Sequence, residues 1–491
     1  MRRLIGMLAL VFAPQVYAAS GGELLYVVRD ADGGARMPAK LTFVGVKGTP
    51  TPQLTFNDIG RQEGGAIAAW NRLMSLTGEG TLRLPIGHYD VWVSRGPEWT
   101  AQVFHDLVVG PKDVHIDTTL KHVVDTRGFL SGDFHVHASS SPDSQVPMQD
   151  RIYEFCSDGV ELIVSTDHNI VADYAPIITQ LGAGRYIASL AGDEMTTGGW
   201  GHFGAFPLER DLERAGQGAV LVHGRTAADF FADVRRVAPL AIIDVHHPRI
   251  DDEIGYFNLT HFDAGADRSQ RPGFSFDFDA LEVLNGYQDA ERKHVDKVID
   301  DWFALLDHGR LVTATGNSDT HHLDHNIGGY PRNYIAVADD DPQHLTPEQV
   351  AGDVRGHHSF FTTAPFVRVT VGNASYGDLV RVGEGQKLVK AHIEVQAAPW
   401  VTVSRVTVYL GGRELKRIAV PASTDVVRLV GDIDVPLTRD DYLVVRVDGD
   451  KPLAPIVGDL IRFDVRPMAL TNPIFFDVDG NGRFDAPQKR H

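Results

Sequence analysis

One cysteine, Cys156, stands in 491 residues. No disulfide can form within the chain, and a thiolate-rich structural zinc site is excluded. Cys156 follows Met148, Ile152 and Phe155 at helical spacing, so it reads as a small core residue rather than a nucleophile. Positive charge is also scarce. Lys and Arg number 46 against 65 Asp and Glu, a formal net charge of -19, which leaves no basic face for nucleic acid. Past the first residues no apolar run approaches the ~18 residues that span a bilayer, and no segment is of low complexity.

What is present begins with MRRLIGMLALVFAPQVYAASGG. Arg2 and Arg3 precede a short apolar stretch, Leu4 to Val11, and small residues near Ala18 and Ala19. This pattern predicts a secretory signal over 1–19 and a periplasmic or secreted protein. The chain as a whole is 43% hydrophobic and 23% charged, the balance of an ordinary globular protein, with length for two to four domains.

Three regions follow from periodicity. Residues 20–127 alternate apolar and polar positions between Gly and Pro turns, and LRLPIGHYDVWVSRG (82–96) reads as strand, turn, strand. Together with ARMPAKLTFVG (35–45), this region resembles the carboxypeptidase regulatory-like β-sandwich. Residues 128–365 alternate strands with helices. RIYEFCSDGVE, TAADFFADVRRVAP and AERKHVDKVIDDWFALLDHG carry helical spacing between apolar β runs, which predicts an α/β barrel or a doubly wound sheet. Residues 366–491 return to β patterns (FVRVTVG, KAHIEVQA, VSRVTVYLGG, DYLVVRVDG), a second sandwich.

The middle region concentrates its chemistry where its strands end. FLSGDFHVH ends in His135 and His137, and ELIVSTDHN in Asp167, His168 and Asn169. RYIASLAGDEMTT ends in Asp193 and Glu194, and PLAIIDVHHPR in His246, His247 and Arg249. DALEVLNGY ends in Asn285 and Tyr287, and RLVTATGNSDTHH in Asp319, His321 and His322. In parallel α/β folds the C-terminal strand ends converge. Buried imidazoles and carboxylates are costly there unless paired or bound to metal. Most of the 22 histidines fall between 131 and 365. The pattern points to a metal site of mixed imidazole and carboxylate ligands, suited to Zn, Mn or Fe.

DFHVHASSSPDS, STDHN, GDEMTT, HHPR and GNSDTHH, in that order, resemble the PHP (polymerase and histidinol phosphatase) family of metal-dependent hydrolases over roughly 131–365. Within it the chain looks most like the secreted carbaryl-hydrolase-like branch, whose barrel is flanked by sandwich modules. The resemblance implies a distorted (β/α)7 barrel with two or three divalent ions. His135, His137, Glu194 and Asp319 would hold one. Glu194 would bridge to a second, held also by His202 (in GWGHFGAF) and His247, with His246 the alternative that the following Pro248 disfavours. Asp143, His168 and His321 would hold a third, Asp143 standing where many members carry His. Water made nucleophilic by the metals would then attack a phosphoester, or a carbamate, ester or amide.

Further residues near the strand ends are candidates for handling a small-molecule substrate. Arg249 could meet a phosphate or carboxylate, or be an ion-pair partner. Asn285 and Tyr287 could orient substrate. Asp167 or His322 could protonate a leaving group, or Asp167 could orient a ligand histidine. A non-catalytic cell-wall or glycan-binding protein is the contrasting reading, for which loss of a ligand position would be the signature. In the tail, DVDGNGRFD places Asp477, Asp479, Asn481 and Asp485 like the first half of a calcium loop. Position twelve is Gln488 rather than Glu, so an Asx-rich turn is the preferred expectation over calcium.

Overall fold

The computed structural model describes residues 21–487, apart from 63, 287–291, 325–326, 384 and 459–463. The expected signal segment, Tyr287 and Gln488 lie outside the described residues. No helix among the described residues is long and apolar enough to cross a membrane.

Residues 21–120 form two facing sheets. One has the order Ile59–Gln62, Glu79–Pro85, Gly21–Asp30, Val114–Leu120; the other Ala66–Ala69, Arg72–Ser75, Ala39–Val46, Gly87–Ser94, Gln102–Val109. Alternation does the work: every second side chain of Gly21–Asp30 (Leu24, Tyr26, Val28) points inward onto Leu41, Phe43, Tyr89 and Val91. The strand–turn–strand read at 82–96 crosses between the sheets at Ile86, so its two strands are not partners.

In the central region the strands are β1 (Phe129–Val136), β2 (Leu162–Ser165), β3 (Ala188–Leu190), β4 (Asp193–Thr197), β5 (Gly201–Phe206), β6 (Ile242–Val245), β7 (Ala280–Asn285), β8 (Thr313–Asn317), β9 (Arg332–Ala336) and β10 (Ser359–Thr362). The helices are α1 (Met148–Ser157), α2 (Ala175–Leu181), α3 (Ala227–Val237), α4 (Tyr256–Leu259), α5 (Arg292–Asp307) and α6 (Pro347–Arg355). α3 begins at a capping box, Thr226 with Asp229. α5 buries Val295, Val298, Ile299, Trp302, Leu305 and Leu306, one stripe at helical spacing. The chain leaves it through Gly309 at φ 74°.

This is a sheet-dominated α/β arrangement. β1, β2 and β3 pair in parallel, as do β6, β7 and β8. Strict β/α alternation holds only in part. β4 and β5 form an antiparallel hairpin with no helix between them, and β5 meets β6 antiparallel. Two isolated parallel bridges, Val136 to Thr320 and His168 to Glu194, bring the two sheets together at the ends that carry the ligand-type residues. β1 changes partner along its length. Phe129–Gly132 pairs with β9, while beyond it Asp319 N–H donates to the His135 carbonyl (2.9 Å) and His137 N–H to the Thr320 carbonyl (3.1 Å). Where the ladder splits, Asn317 and Asn333 side chains replace it. Asn317 Oδ1 accepts from Phe134 N–H (3.2 Å), and Asn333 bonds both backbone groups of Gly316 (3.0 Å each).

The expected boundary at 365/366 does not interrupt the sheet. β10 pairs with Met468–Thr471, which continues through Asp441–Asp448 to Arg405–Leu410 and Arg413–Ala419. A three-stranded sheet, Phe366–Thr370, Leu388–Gln396 and Val427–Pro436, covers this extension over a core that includes Val367, Val395, Val406 and Val447. Buried cations seal the seams. Lys40 Nζ donates to both oxygens of Asp158 (2.6 and 2.8 Å) and to the Val457 carbonyl (3.2 Å), tying all three regions. Cys156 is buried, and burial pushes its thiol up to about 12.

Candidate metal centre

Glu194, fully buried on β4, is the hub. Its carboxylate lies 2.6 Å from His168, 2.8 Å from His246, 3.0 Å from His135, 3.4 Å from His202, 3.6 Å from His247 and 3.7 Å from His137. Asp319 Oδ1 faces His135 (3.1 Å), His137 (3.3 Å) and His321 (3.4 Å). Asp143 Oδ2 faces His168 (3.1 Å) and His321 (3.4 Å). The donors fall into four compact groups: His137–Asp143–His168–His321, His135–His137–Glu194, His135–His247–Asp319, and His168–Glu194–His202. Burial is graded, from His135 and His137 at 0% exposed to the Asp143 side chain at 52%. The centre therefore runs from the interior to an open rim.

Local backbone explains the convergence. His135 and His137 flank Val136, whose side chain is core, so strand alternation sends both rings to the same side. His168 and Glu194 are joined by backbone bonds: Asn169 N–H to the Glu194 carbonyl (3.0 Å), and Glu194 N–H to the Asp167 carbonyl (3.2 Å). Asn169, His247 and Asp319 adopt positive φ (56°, 29° and 53°). Such strain in non-glycine residues is typical where function fixes a side chain. Buried Arg151 braces the base, donating to the carbonyls of His137 (2.9 Å) and Thr320 (3.0 Å).

Do these residues fit cations? His135 Nδ1 lies 3.0 Å from Glu282, and the neutral ring that donates there keeps a lone pair on Nε2. That nitrogen faces oxygens of Glu194 and Asp319 and makes no well-formed hydrogen bond; nor does His137 Nε2. Lone pairs set against carboxylate oxygens repel, and a divalent cation between them turns repulsion into coordination. The donor set of neutral imidazoles and carboxylates suits Zn, Mn or Fe. The electrostatics show the carboxylates drawing positive charge to the deep site, which a proton on His135 or a cation can supply. Burial lowers both rings. For His137 the charge of His321 adds to it and holds the ring well below the usual range, whereas for His135 the carboxylates of Asp319, Glu282 and Glu194 overcome it and carry the ring well above. Burial alone would raise Glu194, but His202, His135 and His168 hold it far below.

The structure brings His135, His137, Asp143, His168, Glu194, His202, His247, Asp319 and His321 into these groups. Their partition differs from the family pattern. His247 groups with His135 and Asp319 rather than with Glu194 and His202, and His137 also joins the rim group. His246 belongs to no group. Its Nδ1 meets Glu194, its ring stacks on His135 at 3.6 Å, and a Cβ built on Gly204 would lie 2.5 Å from its Nε2.

Other expected positions do different work. The Arg249 guanidinium is held by Asp301 (2.7 Å), Asn258 (3.2 Å) and the Phe262 carbonyl (2.8 Å). It is an ion-pair clamp, the second of the two expectations for Arg249. Asn285 Nδ2 donates to Glu282 (2.9 Å) and Asp319 (3.1 Å), and so holds a ligand. Asp167 Oδ1 accepts from Ala138 N–H (2.7 Å) and Ser141 N–H (3.1 Å), fixing the loop after His137. His322 is exposed.

One functional residue escaped the sequence reading. Glu282, wholly buried in the middle of β7, accepts from His135 Nδ1 (3.0 Å) and Asn317 (3.1 Å) on one oxygen, and from His247 N–H (2.7 Å) and Asn285 (2.9 Å) on the other. A carboxylate behind a ligand imidazole fixes its tautomer. The signal was a lone acid inside the apolar run ALEVL.

In the tail, Asp477 Oδ1 accepts from Gly480 and Asn481 N–H (2.7 and 3.1 Å) and Oδ2 from Gly482 N–H (2.8 Å), the pattern of an Asx turn. Asp440, Asp479 and Asp485 lie within reach of one another nearby.

No family model matches the chain, and no curated protein does. Among solved structures, PsfC from Pseudomonas syringae PB-5123 is similar over 44% of this chain and 87% of its own, at 17% identity and a TM-score of 0.30. An engineered protein is similar over 41% and 40%, at 13% identity and a TM-score of 0.14. Likenesses this shallow decide neither fold nor activity.

Proposed function

We propose that the chain is a multinuclear metal-dependent hydrolase of PHP type, its central strands a distorted (β/α)7 barrel, acting outside the cytoplasm on a phosphoester or on a carbamate, ester or amide. One observation carries this reading: six imidazoles gather on one buried carboxylate, Glu194, and the Nε2 atoms of two of them, His135 and His137, face carboxylate oxygens without a well-formed hydrogen bond. The deep groups around Glu194 and Asp319, and the rim group of His137, Asp143, His168 and His321, would hold the ions. When bound, such ions supply Lewis acidity and make water acidic enough to deprotonate near neutral pH.

The chain's own residues do the rest. Glu282 and Ser141 orient His135 and His137 through their Nδ1 atoms. Asn285 holds Asp319, and burial excludes bulk water from the deep groups. Asp167 commits only Oδ1 to its loop, its Oδ2 is unpartnered among the described residues and burial raises its carboxyl to about 6, so Asp167 and exposed His322 are the two candidate proton donors to a leaving group. The test is turnover of nitrophenyl phosphate, bis-nitrophenyl phosphate and nitrophenyl esters by Zn- or Mn-loaded protein. Chelation should abolish it, and Glu194→Gln should lower it by at least 100-fold. Turnover indifferent to chelation would overturn the reading.

A further inference from the structure

A cleft of 640 Å³ opens beside the centre, walled by Asn169, Thr196, Trp200, Val220, Leu221 and Val222 among others. It is continuous with the ligands. Asn169 follows His168, and Thr196 Oγ1 meets His168 Nδ1 at 2.5 Å. A volume within the ~300–1,000 Å³ of small-molecule sites exceeds what a phosphate alone would fill.

Its lining is chemically selective. No Asp or Glu lines it, although the protein carries a net charge of -19. Its polar side chains are mostly spent on the protein itself. The Asn169 amide bonds the Thr196 backbone (3.1 Å each way). Thr197 Oγ1 donates to the Gly201 carbonyl (2.9 Å) and accepts from Trp200 N–H (2.7 Å). Thr226 is closed on Asp229, and Arg225 on Asp233 and the carbonyls of Leu221 and Asp229. Among the described lining residues, only His223 and the Trp200 indole N–H offer a side-chain group without a hydrogen-bonding partner inside the chain. The remaining walls are apolar, and Leu221 is 70% exposed. A Cβ on Gly198 or Gly224 would meet nothing within 4 Å, so the cleft is roomy at these points.

We propose that this cleft receives the apolar, uncharged portion of the substrate, an alkyl or aryl group, while the scissile group lies at the metal centre; the inference rests on the hydrolase reading. The substrate class is then an ester or phosphoester of a hydrophobic alcohol, not of a sugar or nucleoside, whose many hydroxyls would find only His223 and the Trp200 indole N–H as unpaired side-chain partners on these walls. Leu221 and Val222 are specificity-determining residues, and Trp200 is the flat wall, its ring backed by Arg271 at 4.0 Å.

The experiment compares monoalkyl phosphates from ethyl to hexyl, whose leaving groups differ little in acidity, on the Zn- or Mn-loaded full chain. In parallel, methylphosphonate and hexylphosphonate binding is measured by calorimetry, so the cleft is probed without turnover. We expect kcat/KM to rise by up to roughly fourfold per buried methylene, and hexylphosphonate to bind at least 10-fold tighter than methylphosphonate. Leu221→Asp, at a site exposed enough to tolerate the charge, should flatten both trends, and Leu221→Met should retain them. Flat trends in the native chain would overturn the cleft assignment and leave the hydrolase reading intact. Absence of phosphate turnover with a steep binding trend would overturn the phosphoesterase form of the hydrolase reading and leave an apolar binding cleft.

Discussion

Replacing Glu282 by Gln changes one atom and removes one charge, at a residue that no water reaches. The carboxylate accepts four hydrogen bonds, two per oxygen. An amide keeps one acceptor oxygen. If that oxygen serves His247 N–H and Asn285, the new NH2 faces His135 Nδ1. The imidazole then accepts at Nδ1 and carries its proton on Nε2, the atom that must be bare to bind a cation. Loss of such a supporting carboxylate costs ~10–100-fold in metal affinity, or about 1.4–2.7 kcal/mol. The opposite amide orientation spares His135 but sets the NH2 against His247 N–H and Asn285, loosening His247 and Asp319 instead. Either way the ions of the His135 groups are weakened, while the rim group around Asp143 is not. The assay is competitive chelator titration of folded protein, with bound metal counted by elemental analysis. We expect Glu282→Gln to lose its deep ions at chelator concentrations that leave wild type loaded. Affinity within twofold of wild type at every ion would refute the idea that Glu282 sets the tautomer of His135.

Three further outcomes follow from the same geometry. Lys40→Met strands buried Asp158 with only Tyr330 as a side-chain donor (3.1 Å) and should cost about 3–5 kcal/mol, the usual penalty for removing one partner of a buried ion pair, read as an earlier denaturant midpoint. Gly204→Ala would put a methyl 2.5 Å from His246 Nε2; that ring is buried and stacked, so it must push on Glu194, and metal affinity should fall by at least 10-fold in a chelator titration. The third concerns pH and the His122–Glu98 pair at the seam (2.8 Å). Burial pulls His122 down, but the hydrogen bond and charge of Glu98 together outweigh it and raise the ring; burial would raise Glu98, but His122, with Tyr334 and Arg332, lowers it. A raised His stabilises below its ordinary 6.5 and loses this as pH climbs through its folded value, while a lowered Glu stabilises above its ordinary 4.5 and loses this on acidification. The gap in denaturant midpoint between wild type and His122→Gln should therefore be widest between these values and narrow toward pH 9; a gap constant from pH 5.5 to 9 would contradict the pairing.

How far the sequence revealed this site depends on what each residue answers to. His135, His137, His168, Glu194, His247, Asp319 and His321 lie in or just after strands, and strand ends pool, so their positions along the chain were enough to bring them to one site, though not to divide them among ions. Glu282 sits mid-strand, where a reading of strand ends does not look. Arg249 stands at such an end, yet its partner Asp301 comes from α5, and no local pattern encodes an ion pair between distant elements. The hairpin of β4 and β5 was legible in principle, since Gly198 and Gly199 separate two β-prone runs, but regular alternation on either side hid it. The continuation of the central sheet across 365/366 was not legible, because alternation shows which side of a strand is buried and not which strand lies beside it.

The partition of ligands among ions is set by the same limit. Family order pairs His247 with Glu194 and His202, whereas geometry places it with His135 and Asp319. Backbone accounts for the difference. His247 is held at positive φ with its N–H on Glu282, the carboxylate that also fixes His135. One buried acid thus brings both rings to the same side of Asp319. If this is right, Glu282→Gln and His247→Ala should deplete the same ion, and the double variant should lose no more affinity for it than the more damaging single change. Additive losses would instead return His247 to the Glu194–His202 ion.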